Sequence, residues 1–342
     1  MPIIISSFFL SIVTSYYCQK LFLKKKILDK INLRSSHDSI ATRSGGLSVF
    51  IVLMIISIYF YLNGIEIFNF SILVPLSIIF LVGIYDDFYG VDFKLKFIFQ
   101  IIVAKIIIDN GLLIDNFHGF LGVFEINRVL AQLVTIFIII SITNAINLID
   151  GIDGLLISVS LIFIISYEYF ASVSSDFNFL SCIIVSALIP LYYFNFRKKQ
   201  KIFLGDSGSY LLGGIISIYV LNIISFGYRI RPEFDVNKII FVISILIYPI
   251  IDIIRVFSLR IINRKSPFIA DKNHLHHIIL KQNNSHFMTT VIISCFIIFT
   301  IIFIQLILWC INIYLFYLYF SCHVQTQIFR GVQNLIIIQL IN

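Results

Sequence analysis

Ten predominantly apolar stretches, each at least seventeen residues long, recur at about 3–19, 46–62, 67–85, 97–113, 129–146, 155–173, 177–194, 208–226, 238–254 and 288–320. A helix needs about 20 apolar residues to cross the hydrocarbon core of a bilayer. Inside that core every backbone N–H and C=O must be satisfied by the protein itself, so only helices and closed barrels can span it. Barrel strands are about ten residues long and alternate apolar with polar. These stretches do neither, so their many Ile and Phe residues are read as helix surface. The last stretch is long enough for one tilted span plus a re-entrant piece, or for two short spans. The expected fold is therefore all-α: a polytopic integral membrane bundle of about ten or eleven transmembrane helices. Composition agrees, with 59% hydrophobic and 13% charged residues against roughly 45–50% and 25% in soluble domains. A soluble enzyme, a disordered chain and a disulfide-stapled secreted module are excluded. Residues 1–322 are read as one transmembrane domain and 323–342 as a tail of uncertain structure.

The charges set the expected orientation. Of the 25 Lys and Arg residues, nineteen fall on alternate loops around Lys20 to Arg43, Lys94 to Lys96, Arg197 to Lys201 and Arg255 to Lys281. The positive-inside bias places those loops in the cytoplasm. The net charge of +7 thus reflects topology and an anionic substrate, not nucleic acid. No basic residue precedes the first span and Lys20, Lys24, Lys25 and Lys26 follow it, the reverse of a cleavable signal. It reads as an anchor with its N-terminus outside. Cys18, Cys182, Cys295, Cys310 and Cys322 show no C-x-x-C spacing and suggest neither disulfides nor zinc.

The unusual polar clusters all fall on the cytoplasmic side of this scheme, as if several loops assembled one site. Asp86-Asp87 ends an apolar span, where paired carboxylates are costly unless a cation neutralises them. In Asn144-Ala145-Ile146-Asn147-Leu148-Ile149-Asp150-Gly151-Ile152-Asp153-Gly154 the polar groups recur every three residues. They would share one broad face of a continuing helix, while Gly151 and Gly154 permit a break. Capping accounts for one such residue but not four, and oxygen donors suit Mg²⁺ better than zinc. In Gly205-Asp206-Ser207-Gly208-Ser209, Asp206 is a candidate metal ligand, with the helix N-terminus available to phosphate. In Ser266 to His277, the histidines His274, His276 and His277 lack an H-E-x-x-H pattern. Beside Arg255, Arg260 and Arg264 they read as a diphosphate clamp.

Together these clusters resemble the polyprenyl-phosphate N-acetylhexosamine-1-phosphate transferases, which include the lipid-linked GlcNAc-1-phosphate transferases and the muramoyl-pentapeptide translocase. The resemblance runs from about Arg43 to His277. It rests on Asp86, Asp87, Lys94, Lys96 and Gln100, on the complete N-x-x-N-x-x-D-G-I-D-G-L block, on G-D-S-G-S followed by Leu211, Leu212 and Gly213, and on S-P-F…D…H-L-H-H. That ending is similar to the GlcNAc-1-phosphate branch. Val91, Ser158 and Ala270 depart from the common pattern without removing a reactive group.

The resemblance implies a cytoplasmic-face cleft in which HexNAc-1-phosphate passes from a UDP-HexNAc to undecaprenyl phosphate, releasing UMP, in the bacterial cytoplasmic membrane. It implies catalytic roles for Asp86, Asp87, Asp153, His274, His276 and His277. Substrate contacts are expected from Arg43, Lys94, Lys96, Asn144, Asn147, Asp150, Arg255 and Arg260. Asp206 and Asp153 are the expected ligands of Mg²⁺, with Mn²⁺ able to substitute. The partners are the two substrates and the lipid bilayer; a homodimer is left open. The competing class is a transporter with a cytoplasmic-edge ion site. It predicts polar groups near mid-membrane and internal repeats, and the chain shows neither.

Overall fold

The computed structural model describes residues 2–28, 41–173, 175–225, 228–231, 237–264, 273–307 and 310. Its helices are α1 (Pro2–Lys24), α2 (Gly45–Leu62), α3 (Leu73–Tyr89), α4 (Phe93–Asp109), α5 (Arg128–Ile149), α6 (Leu155–Phe170), α7 (Asn178–Asn195), α8 (Gly205–Ile224), α9 (Lys238–Ile245), α10 (Ile247–Ile262) and α11 (Leu275–Asn283). A last helix, α12, covers His286–Ile307.

Seven of these helices are long and apolar enough to cross a membrane, or eight when α9 and α10 count as one span. This count by length and apolarity, among the described residues, leaves out three of the expected stretches for local reasons. α6 has 16 residues and reaches about 24 Å at 1.5 Å per residue, short of a full bilayer core. α4 has 17 residues and carries Lys94, Lys96, Lys105 and Asp109. The stretch expected at 238–254 is bent by 73° between α9 and α10. Residues 311–342, including the uncertain tail, lie outside the described residues.

Helix α8 is the axis of the bundle, with its whole apolar window buried. It packs most extensively against α3 and α5, with α2 beside them. Small residues make this possible, as is usual where the surrounding lipid is as apolar as the side chains. A Cβ on Gly83 of α3 would sit 2.5 Å from the Asp206 carbonyl oxygen, and one on Gly46 of α2 would overlap the Gly208 backbone. The first turn of α8 is therefore clamped between two glycine faces. On the flank, α1 presents Ser7, Ser11 and Ser15 inward, and the Ser11 hydroxyl donates to the Ala187 carbonyl of α7 at 2.7 Å.

Two short strand pairs tie the ends, a feature the apolar pattern did not announce. β1 (Ala41–Thr42) runs parallel to β4 (Lys201–Ile202). The ladder continues as Gly45 N–H to Phe203 O and Gly46 N–H to Leu204 O, both 2.9 Å. This sets the Arg43 segment directly against the start of α8. At the other end of α8, β2 (Asn116–Phe120) and β3 (Val123–Glu125) form a hairpin. His118 Nε2 meets the Ile224 carbonyl at 2.6 Å there.

Candidate active site

The site begins where α3 ends against the start of α8. Asp87 accepts hydrogen bonds from the backbone N–H groups of Asp206 and Ser207, both at 2.9 Å. Its side chain is wholly buried, and Arg43 Nη1 lies 3.5 Å away. Such a carboxylate satisfies orphan donors at a positive helix end. Gly205 makes room for it: its φ is +70°, and a Cβ there would stand 2.8 Å from both Asp87 oxygens. The phosphate seat expected at this N-terminus is thus corrected. The N–H groups of 206 and 207 already belong to Asp87.

Asp86, about 100° around the helix from Asp87, points elsewhere. Its Oδ1 accepts from Val91 N–H at 2.7 Å, its Oδ2 pairs with Lys96 of α4, and the Asp206 carboxyl lies against it. Asp86 takes the ion pair with Lys96, Asp206 abuts that pair, and Asp87 with Arg43 lies behind them. Lys94, two residues before Lys96 and so on the opposite side of α4, stands exposed.

The Asn144 to Gly154 segment does not continue as a helix, and its polar groups part company. α5 stops at Ile149, so only Asn144 and Asn147 share a helical face. Asn144 exchanges amide hydrogen bonds with Gln100 of α4, at 2.9 and 3.3 Å. Asn147 Oδ1 accepts from Ser209 of α8 at 2.5 Å. Asp150 caps α5. Asp153 is buried and pairs with Lys201 of β4. Its N–H donates to His286 Nδ1 at 3.2 Å, and its carbonyl accepts from Thr290 at 2.8 Å. The chain escapes through Gly154, at φ +74°, whose N–H donates to Asn195 Oδ1 at 2.5 Å.

The histidines are held by α10. Asp252 accepts from Leu275 N–H at 2.7 Å and meets His274 Nδ1 at 2.6 Å, capping α11. Tyr248, one turn earlier, places its hydroxyl 3.0 Å from His276 Nδ1. His276 has 0% exposure, and burial pushes its imidazolium down to about 3, with His277 adding to the effect. The ring faces the glycine-rich segment: a Cβ on Gly151 would lie 3.0 Å from His276 Nε2 and 3.3 Å from His277 Cε1. Arg255 Nη1 donates to the Asn273 carbonyl at 2.5 Å. Arg260 is buried with its guanidinium 5.9 Å over Phe257. The expected Ser266 to Lys272 stretch lies outside the described residues.

Two groups of expected residues therefore converge: Arg43, Asp86, Asp87, Lys96 and Asp206 in one, Gly151 with the histidines in the other. Asp153 instead faces Lys201 and His286. Four contributors had no role assigned from sequence: Lys201, Tyr248, Asp252 and His286. Lys201 was hidden in a basic run that topology already explained, and Tyr248 among apolar neighbours.

The donor set suits a hard cation in part. Among the described residues no three His, Cys, Asp or Glu side chains form a cage. Mg²⁺, however, commonly takes one or two carboxylates plus waters and substrate phosphates. Asp86 and Asp206, two carboxylates set against each other, fit that requirement, whereas Asp153 is committed to a lysine.

Residues 69–224 match the family model described as glycosyl transferase family 4. The chain is 34% identical over 281 residues to the probable undecaprenyl-phosphate N-acetylglucosaminyl 1-phosphate transferase of Bacillus subtilis, covering 80% of this chain and 75% of that one. It is 30% identical over 234 residues to a decaprenyl-phosphate N-acetylglucosaminephosphotransferase of Mycobacterium leprae, covering 63% and 58% respectively. It is also 28% identical over 284 residues to an undecaprenyl-phosphate alpha-N-acetylglucosaminyl 1-phosphate transferase of Thermotoga maritima, covering 81% and 80%.

Proposed function

From the premise that this chain belongs to glycosyl transferase family 4, we propose that it transfers a HexNAc-1-phosphate, with GlcNAc first among candidates, from a UDP-sugar to undecaprenyl phosphate. The observation that carries this reading is the meeting of Asp86, Asp87 and Asp206 with Arg43 and Lys96 at one edge of an apolar bundle. One substrate is held by the bilayer and the other is a soluble diphosphate, so chemistry belongs at such an edge. The positive-inside charge pattern assigns that edge to the cytoplasm, with the N-terminus outside.

In this reading a terminal oxygen of the lipid phosphate attacks the sugar-bearing phosphorus of the donor. The new P–O bond forms in line with the bond to the α-phosphate, which breaks and leaves with UMP. The acceptor is already an anion, so no base is needed to create the nucleophile, and positioning with charge neutralisation does most of the work. Asp86 and Asp206 would hold Mg²⁺, or Mn²⁺ in its place, which neutralises diphosphate charge when bound. Lys96 and Arg43 would add positive charge beside the phosphates, and Asp87 locks the first turn of α8 so that Asp206 keeps its place. The histidines approach from the Gly151 side as hydrogen-bonding groups. The product, a lipid-diphosphate-sugar, would initiate a cell-surface polysaccharide such as an O-antigen or teichoic acid.

Purified protein in vesicles with polyprenyl phosphate and radiolabelled UDP-sugars tests this. A lipid-linked sugar diphosphate with stoichiometric UMP is the expected result. Release of UMP without a lipid product, or no reaction with any UDP-HexNAc, overturns it.

A further inference from the structure

His276 combines full burial with a ring nitrogen, Nε2, that has no hydrogen-bond partner among the described residues. That nitrogen faces Gly151. A buried polar atom left unmatched is costly, so it identifies where a ligand is to complete the structure. What it offers that ligand depends on which nitrogen carries the proton, and the neighbours decide this. The Tyr248 hydroxyl lies 3.0 Å from His276 Nδ1, the one hydrogen bond that either side chain makes among the described residues. Suppose Nδ1 carried the proton and donated to Tyr248. The hydroxyl hydrogen and the Nε2 lone pair would then both be stranded. If Tyr248 instead donates to Nδ1, the hydroxyl hydrogen is matched and only the Nε2–H remains open. The second arrangement strands one group fewer, so it prevails.

We propose that Tyr248 is a positioning residue: it holds His276 as the Nε2–H tautomer, aiming a fixed N–H donor at a phosphoryl oxygen of the sugar nucleotide beside Gly151. This rests on the transferase reading given above. His276 then acts as a neutral donor and takes no proton during the reaction. The lowered basicity of the buried ring accords with this role. The geometry also separates the two histidines. Tyr248 and Asp252 lie one turn apart on α10 and share a face. Asp252 commits His274 to capping α11, whereas Tyr248 leaves the working nitrogen of His276 open.

Two measurements on the full-length protein decide the matter. In ¹⁵N-histidine spectra of the membrane-embedded protein, with the His276 signals assigned by their loss in His276→Gln, the wild type should show Nε2–H alone. Tyr248→Phe should give a mixture. A wild-type Nδ1–H tautomer, or a tautomer indifferent to Tyr248→Phe, overturns the proposal. In turnover, Tyr248→Phe should lower kcat about tenfold, the order expected for loosening one preorganised donor. The same change should cost under about twofold in His276→Gln, whose amide N–H reaches the Nε2 position without a tautomer to hold. His276→Asn, with no donor there, should be at least about tenfold slower than His276→Gln. An equal cost of Tyr248→Phe in both backgrounds would reduce Tyr248 to a packing residue. If the wild type transferred no HexNAc-1-phosphate, the functional reading would fail by itself, and the spectra would still decide the tautomer.

Discussion

The two ends of α8 bury comparable amounts of polar chemistry and treat it in opposite ways. Near its C-terminus, Glu168 accepts from Ser175 at 2.8 Å, Asn178 at 3.1 Å and Ser181 at 2.5 Å. Ser181 also meets the Tyr219 hydroxyl at 2.8 Å, Tyr167 donates to Asn222 at 2.7 Å, and Tyr228 donates to the Tyr167 carbonyl at 2.6 Å. Tyr167 and Tyr219 stack with ring centres 4.5 Å apart. Among the described residues that network leaves no buried side-chain polar atom unmatched. Near the N-terminus, Asp206 abuts the Asp86–Lys96 pair, and His276 keeps an unmatched nitrogen. Residue types alone do not distinguish the two ends, since both are rich in acids, amides and hydroxyls. The completeness of pairing does. A satisfied network rigidifies, while an open one at a bundle edge is arranged for something still to arrive.

This contrast can be broken at several points. Asp206→Asn or Asp86→Asn should lower transfer at least about a hundredfold, with the unfolding midpoint held or raised for Asp206→Asn, because one of two abutting acids is gone while the Asp86–Lys96 pair is kept. A matching fall in midpoint would place Asp206 with the satisfied network, and undiminished turnover in excess EDTA would remove the metal from the scheme. Asp87→Ala should behave differently, costing about 2–3 kcal/mol of stability as two buried N–H groups lose a charged acceptor. Asp87→Asn should recover part of that in thermal unfolding.

His276 predicts an acid weakness. Its native pKa of about 3 lies below the ordinary 6.5, so between those values the unfolded chain binds a proton that the native ring refuses. Stability should fall with falling pH by about 1.4 kcal/mol per unit in mid-window, and His276→Gln should flatten that slope. Glu168→Gln should cost about 1 kcal/mol and leave turnover per folded molecule unchanged; a tenfold loss in kcat would dissolve the contrast. Smallest of all, breaking the Lys105–Asp109 pair, exposed by 53% and 60%, should shift stability by about 0.3 kcal/mol and leave transfer alone.

The helical class and most spans were legible because hydrocarbon imposes length and apolarity on a segment directly. The break after Ile149 was legible because Gly151 and Gly154 advertise it. Adjacent residues on a helix point about 100° apart, which separates Asp86 from Asp87, but no such rule names their partners. The groups on Asp87 are backbone N–H donors, which have no signature in sequence, and their approach depends on Gly205 bending to a positive φ. Lys201 reaches Asp153 because the β1–β4 pair fixes its register. That short parallel ladder joins segments far apart in the chain and leaves no local pattern. Tyr248 has no distinguishing neighbours in its apolar run, and the bend at Leu246 places it against His276 of α11.

The capping of α8 by Asp87 also fixes an order of manufacture. The carboxylate and the N–H groups it receives are 119 residues apart, so at about 5–20 residues per second the ribosome leaves Asp87 waiting roughly 6 to 24 s for them. During that interval a charge destined for complete burial has only water, headgroups or Arg43 to lean on. The half-made bundle also lacks its central helix, leaving the glycine faces of α2 and α3 uncovered. Newborn chains halted before α8 should thus be the ones that quality-control proteases find, with α3 displaced toward the interface until its counterpart emerges.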